Sequence, residues 1–125
     1  MSHRIHHDLY GAPKKLDDPG DGNTILASED LSVCELVSTG ADETRVLANP
    51  TKPGIRLIIR MLTDGGDVVM SAANGLNTTL ETSATFADAG DLLSLISVTK
   101  TAGSPPSAAT YRWQTLDGNI GVSLA

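Results

Sequence analysis

The chain is short of cysteine, of aromatic residues and of positive charge. Cys34 is the single cysteine in 125 residues, which excludes an internal disulfide framework. Aromatic side chains make up 3%. Tyr10, Phe86, Tyr111 and Trp113 are too few to build a core, so a core must rest on Val, Ile, Leu and Ala. No apolar run reaches the roughly 18 residues of a membrane-spanning helix, so no membrane partner is expected. The N-terminus carries basic and imidazole residues without an apolar stretch, so no signal peptide is expected and the chain reads as one made in the cytoplasm. Nine Lys and Arg face fifteen Asp and Glu, for a net charge of −6 and a pI near 4.8. Direct nucleic-acid binding needs a basic footprint and is not expected, although a local basic arm is compatible with these totals.

What is present points to strands. Hydrophobic residues make up 40%, and twelve Gly and six Pro punctuate them, a pattern of short strands joined by tight turns. The length suits one domain, or one domain with a tail. The central stretch is Ile55 to Ala73, IRLIIRMLTDGGDVVMSAA. Side chains alternate faces along a strand. Ile55, Leu57, Ile59 and Met61 therefore form one apolar row, and Arg56, Ile58, Arg60 and Leu62 form a mixed row. Asp64-Gly65-Gly66-Asp67 is a turn cluster whose glycines can supply positive φ, and Val68 to Met70 is a second strand. The stretch reads as a central β-hairpin with one core face and one face carrying Arg56 and Arg60.

Residues 1–23 look different from the rest. They are polar, broken by Gly and Pro, basic at His3, Arg4, His6, His7, Lys14 and Lys15, and acidic at Asp17, Asp18 and Asp21. They read as an extended arm that orders on a partner, with the β domain over 24–125. In the domain, Leu31 to Val37 alternates as a strand. Ser38 to Asp42 is a turn, Thr44 to Leu47 a strand, and Asn49 to Gly54 a proline loop. Asn74-Gly75 is a turn. Thr78 to Glu81 reads as an edge strand that Ser83 to Phe86 extends. Leu92 to Val98 is apolar on both sides and reads as a buried strand. Thr101 to Ala109 is a loop, Tyr111 to Thr115 a late strand, and Val122 to Leu124 a terminal one. No helix of two turns is predicted. The fold class expected is all-β, a small antiparallel sandwich or barrel with an N-terminal arm.

Five groups invite a chemical reading. His3, His6 and His7 are of metal-ligating type, but no Cys or carboxylate stands at a fixed spacing to close the set. Asp17 to Asn23 has calcium-loop composition, but Pro19 breaks the spacing and the distal Glu is missing. No metal and no cofactor are expected. Cys34 sits mid-strand, far in sequence from any imidazole base, and reads as a small buried hydrophobe. Asp64, Asp67, Asp88, Asp91 and Asp117 can pair for acid–base work, yet all flank turn glycines, where Asp is favoured for backbone reasons. No catalytic constellation stands out, and no enzyme is expected. Trp113, beside Tyr111 and Arg112, can stack a sugar, anchor a contact or fill the core.

The second half of the chain resembles virion proteins of tailed bacteriophages, the capsid decoration (cement) proteins above all. The residues that carry the resemblance are Gly66-Asp67-Val68-Val69, Asn74-Gly75-Leu76-Asn77, Ala84 to Leu95 (ATFADAGDLLSL), Tyr111 to Leu116 (YRWQTL) and Gly118 to Leu124 (GNIGVSL). They cover about half the chain. The resemblance implies a small β domain that binds an assembled shell of major capsid protein from outside, as a homotrimer, with a terminal arm tying neighbours together. The expected location is the virion surface. Arg4, Lys14, Lys15, Arg56, Arg60 and Trp113 are the residues expected to meet the partner. Two other functions stay open on the sequence: another virion part, such as a tail tube, connector or fibre base, and a carbohydrate-binding β module using Tyr111 and Trp113.

Overall fold

The computed structural model describes residues 13–28, 30–78, 81–116 and 119–125. The strands are β1 (Lys14–Leu16), β2 (Asn23–Ile25), β3 (Leu31–Val37), β4 (Glu43–Leu47), β5 (Arg56–Thr63), β6 (Val68–Ser71), β7 (Ser83–Phe86), β8 (Leu92–Thr101), β9 (Thr110–Thr115) and β10 (Ser123–Leu124). Among the described residues the one helical element is a 3₁₀ turn at Pro106–Ala108. The strands form two five-stranded sheets. The first has the order β1-β3-β5-β8-β9 and the second β10-β7-β6-β4-β2. The protein is a small all-β sandwich.

The sheets are mixed rather than purely antiparallel. The first six strands alternate between sheets, so β1, β3 and β5 run parallel in one and β2, β4 and β6 run parallel in the other. The chain thus winds three times around a common interior. The remaining strands then close the sheets with antiparallel pairs: β6 with β7, β7 with β10, β5 with β8, and β8 with β9.

This winding corrects the expected central hairpin. Both strands form where the alternation places them, but β5 bonds β3 and β8 while β6 bonds β4 and β7. Residues 64–67 are an arch that carries the chain across the roughly 10 Å between packed sheets. The reason lies in the apolar rows. Leu57, Ile59 and Met61 on β5, and Val68 and Met70 on β6, are all fully buried. Facing each other across the interior buries both rows, whereas a hairpin would lay them side by side in one sheet.

The arch glycines also serve a purpose other than the one expected. Gly65 and Gly66 are absent from the positive-φ positions. A Cβ on Gly65 would overlap the Ser38 carbonyl and the Gly40 nitrogen, and one on Gly66 would overlap the Ala41 carbonyl. The glycines let this arch stack on the preceding one. The Ser38 hydroxyl, itself buried, pins the two together. It accepts from Gly65 N (2.8 Å) and Gly66 N (3.0 Å) and donates to Gly66 O (2.6 Å).

The expected arm boundary at residue 24 also moves. Residues 1–12 lie outside the described residues. From Lys14 onward the segment belongs to the body: β1 pairs with β3 in register Lys14–Ser32, Lys15–Val33, Leu16–Cys34, and β2 already begins at Asn23. Parallel pairing to a long neighbour supplies the order that three polar-flanked residues lack alone. Three further expectations are adjusted. Residues 79 and 80 of the expected edge strand lie outside the described residues, and Thr78 and Glu81 are in no strand. Leu92–Val98 is fully buried only on its inner side, at Leu93, Leu95 and Ser97. Thr101, expected in a loop, ends β8.

Candidate docking face

Strand register fixes which side chains share a surface, because directly paired residues point the same way. Across the first sheet, Leu31, Arg56, Ile96 and Gln114 are paired in one row. Lys15, Val33, Ile58 and Ser94 make the next. Glu35, Arg60 and Leu92 make a third, and Val98 with Arg112 lies at the other end. The inner side of the same strands holds Cys34, Leu57, Ile59, Leu93, Leu95 and Trp113, all buried. The paired rows above are therefore the outer face, an aliphatic surface studded with cations and left half-exposed. Five strands at about 4.8 Å and some 20 Å along the strands give roughly 500 Å². That is over half of the ~800 Å² each partner buries in a standard interface.

The outer face of the second sheet contrasts with it. Its rows are Thr24, Val46, Ser71, Ser83 and Thr44, Val69, Thr85, Ser123. They carry no charge and only two aliphatic side chains.

Of the residues expected to meet a partner, Lys15, Arg56 and Arg60 come together on the first face. Arg56 is exposed, as is Lys15 on the short edge strand. Arg60 donates to Glu35 at 2.9 Å, with both side chains partly exposed. Such a pair contributes at most about 1 kcal/mol and remains open to exchange for an outside carboxylate. Arg112 was weighed only as a neighbour of Trp113, but it joins the face. Its Nη2 donates to Gln114 (3.0 Å), and its Nε is buried without a partner.

Three of the expected contact residues are not placed on this face. Arg4, with His3, His6 and His7, lies outside the described residues. Lys14 pairs with Ser32, a buried inner-side residue, so it stands on the opposite side of β1 from Lys15. Trp113 is no surface contact. It is the largest fully enclosed side chain, 1% exposed, and its indole N–H donates to Ala48 O at 2.9 Å. An enclosed indole cannot stack a sugar, so the carbohydrate reading loses its anchor. The cause is register: Trp113 pairs with buried Ser97, on the side where an apolar ring gains most from leaving water.

The acidic turn of residues 17–23 is spent on the fold. Asp18 binds Arg45 through two bonds, Nε to Oδ1 (2.7 Å) and Nη2 to Oδ2 (2.9 Å), and also accepts from Val37 N (2.8 Å) and Gly20 N (3.1 Å). Asp21 accepts from Thr44 N (2.8 Å). The Arg45 side chain is wholly enclosed. It also donates to Glu43 (2.9 Å), Thr44 O (2.9 Å) and Val37 O (3.2 Å), so every arm of the guanidinium is engaged. Burial alone raises the Asp18 pKa, but the bonds from Arg45, Val37 and Gly20 outweigh it and hold the carboxyl below its ordinary range. Asp18 in turn raises Arg45. Glu43 is held low, first by the Thr39 N–H and then by Arg45.

This cluster was missed in the sequence, although a signal existed: alternation over 43–47 puts Arg45 on the same side as Leu47, a charge on a core face. Cys34 is buried as expected, and that burial pushes its thiol up to about 11. Among the turn aspartates, Asp91 accepts from Ala87 N and Asp88 N, a backbone role, and Asp117 lies outside the described residues. Among the described residues no group of three or more His, Cys, Asp or Glu is arranged to hold a metal.

No protein-family model matches the chain, and no curated protein matches it.

Proposed function

We propose that the protein is a structural component of a tailed-phage virion, a decoration protein that docks on the assembled head shell as a homotrimer. The observation that carries the reading is the outer face of the first sheet. Ile58, Ile96 and Val98 stand half-buried between Arg56, Arg60, Arg112 and Lys15, while the opposite face is uncharged and rich in Ser and Thr. Aliphatic side chains ringed by arginine suit a protein partner, because arginine binds carboxylates through a planar fork and aliphatic groups supply burial. The two-sheet winding gives this face a rigid backing. The resemblance in the second half supplies the partner class, and the cations of the face call for carboxylates on that partner.

The test is co-sedimentation with empty heads of the phage that encodes the chain, together with light scattering of the free protein. Wild type is expected to pellet with shells and to scatter at three times the 13.0 kDa chain mass. Ile58→Asp with Ile96→Asp is expected to abolish pelleting, and Thr44→Asp with Ser71→Asp on the other face to leave it intact. A wild-type chain that stays in the supernatant overturns the reading. Equal pelleting of the two variants overturns the assignment to this face.

A further inference from the structure

The strand directions sort the charges along the molecule. β1, β3 and β5 all run toward the arches, and β2, β4 and β6 all run away from them. The turn at residues 87–91 joins the same end, since Gly90 N donates to Met61 O (2.7 Å). The connections at this end, residues 17–22, 38–42, 64–67 and 87–91, contain no Lys or Arg. They bring together Asp17, Asp21, Asp42, Asp64, Asp67 and Asp88, and all but Asp67 are exposed. Of the cations nearest this end, Arg45 is enclosed and consumed by Asp18 and Glu43, and Arg60, which pairs with Leu92, is neutralised by Glu35 at 2.9 Å.

The opposite end is cationic. Arg56 begins β5, Lys100 lies near the end of β8, and Arg112 pairs with Val98 beside it. Lys52 is held there too, as its carbonyl accepts from Ser97 Oγ (2.7 Å). Asp30 and Glu81 are the carboxylates at this end among the described residues, and Asp30 stands 3.7 Å from Lys52. Six residue steps along β5 separate Arg56 from Leu62 at the arch, a distance of about 20 Å. That exceeds the ~8 Å screening length of physiological salt, so each end acts on a neighbour as a separate charge.

We infer that copies of this chain associate head to tail, the acidic arch end of one against the cationic end of the next. Charge complementarity selects this occupant: like ends repel, and the net charge of −6 opposes every contact that does not bring a cationic end to an acidic one. Val37 and Leu62, exposed beside the arches, give the acidic end apolar area to bury. Such a contact joins two different surfaces, so it closes into a ring or propagates as a filament, and it shares only Arg56 and Arg112 with the outer face of the first sheet. It stands whether or not the protein binds shells, because both surfaces belong to this chain.

Light scattering of the full chain tests it, at about 0.01 M and about 1 M salt, where screening lengths are roughly 30 Å and 3 Å. Wild type is expected at a multiple of 13.0 kDa in low salt and at the single-chain mass in high salt. Two variants reverse exposed charges whose side chains make no hydrogen bond in the fold. One is Asp17→Lys, Asp64→Lys and Asp88→Lys, and the other is Lys52→Glu, Arg56→Glu and Lys100→Glu. Each alone is expected to associate at least about tenfold more weakly. Their equimolar mixture is expected to recover association at least as pairs, because the unaltered cationic end of the first variant then meets the unaltered acidic end of the second. Circular dichroism confirms that both variants fold. A wild-type monomer in low salt, a variant that associates normally alone, or a mixture of folded variants that stays monomeric overturns the inference.

Discussion

Replacing Asp18 by Ala is the sharpest probe of what holds the first winding to the rest. The substitution removes two bonds to Arg45 and two acceptor positions for Val37 N and Gly20 N. Breaking a buried ion pair by deleting one partner typically costs about 3–5 kcal/mol, because the remaining charge is stranded. Arg45 has no exposed side-chain surface and cannot rehydrate without opening the sandwich. It keeps Glu43 and two carbonyls, however, which places the expectation at the low end, near 3 kcal/mol. With a urea slope of about 1.5 kcal/mol per molar, the unfolding midpoint should fall by roughly 2 M. The converse change, Arg45→Met, should be milder. Met fills the enclosed volume with apolar atoms, while Asp18, with 13% of its side chain exposed, reaches water and keeps its backbone donors. Equilibrium urea unfolding followed by tryptophan emission reads both variants. An Asp18→Ala loss under about 1 kcal/mol, or an Arg45→Met variant less stable than Asp18→Ala, would refute the argument.

The remaining predictions follow from the same geometry. The Asp18 pKa is depressed in the folded state, so its contribution is present above the unfolded value near 3.8 and is lost as pH falls through the lower folded value. Wild type should therefore lose stability below about pH 4, and Asp18→Ala should show a shallower slope there, measured by urea midpoints against pH. Gly66→Ala places a Cβ against the Ala41 carbonyl and should destabilise by about 2 kcal/mol or more, as overpacking does, with the loss read from the thermal midpoint. Cys34, enclosed and with its thiol raised to about 11, should react with a thiol reagent only at the rate of unfolding; prompt reaction in native buffer would contradict its place in the core. The emission of Trp113 should be blue-shifted in the native state and unchanged by added glycans; a glycan-dependent shift would return the indole to the surface.

Period-two patterning made the strands legible, and it named the inner row of β5 residue by residue. It also put Arg56 and Arg60 on the outer face. It did not reveal partners, because alternation states which way a side chain points and is silent about which strand lies beside it. The same Asp-Gly-Gly-Asp cluster suits a hairpin or an arch, and only the burial of both flanking rows decides. β1 was invisible for a related reason: Lys14 to Leu16 has no local strand signal and is ordered by β3. Trp113 could be placed late in the chain but not inward or outward, since Tyr111, Trp113 and Thr115 against Arg112 and Gln114 leave both sides amphipathic. The cationic and acidic ends were hidden altogether, because their residues are scattered along the chain and are gathered only by strand direction.

The alternating winding has a kinetic corollary. Paired residues in the first half lie far apart in sequence: Lys14 pairs with Ser32, Asn23 with Arg45, and Ser32 with Leu57. None of these pairings can form by zipping from a tight turn, so each first closes a loop of about twenty residues, whose entropy is lost before any ladder rewards it. The local pairs, β6 with β7 and β8 with β9, belong to the half that is translated last. A chain emerging from the ribosome therefore has no locally closed strand pair until β7 and then β9 are made. Folding should begin at the C-terminal end and travel backward, with β1 the last strand to join.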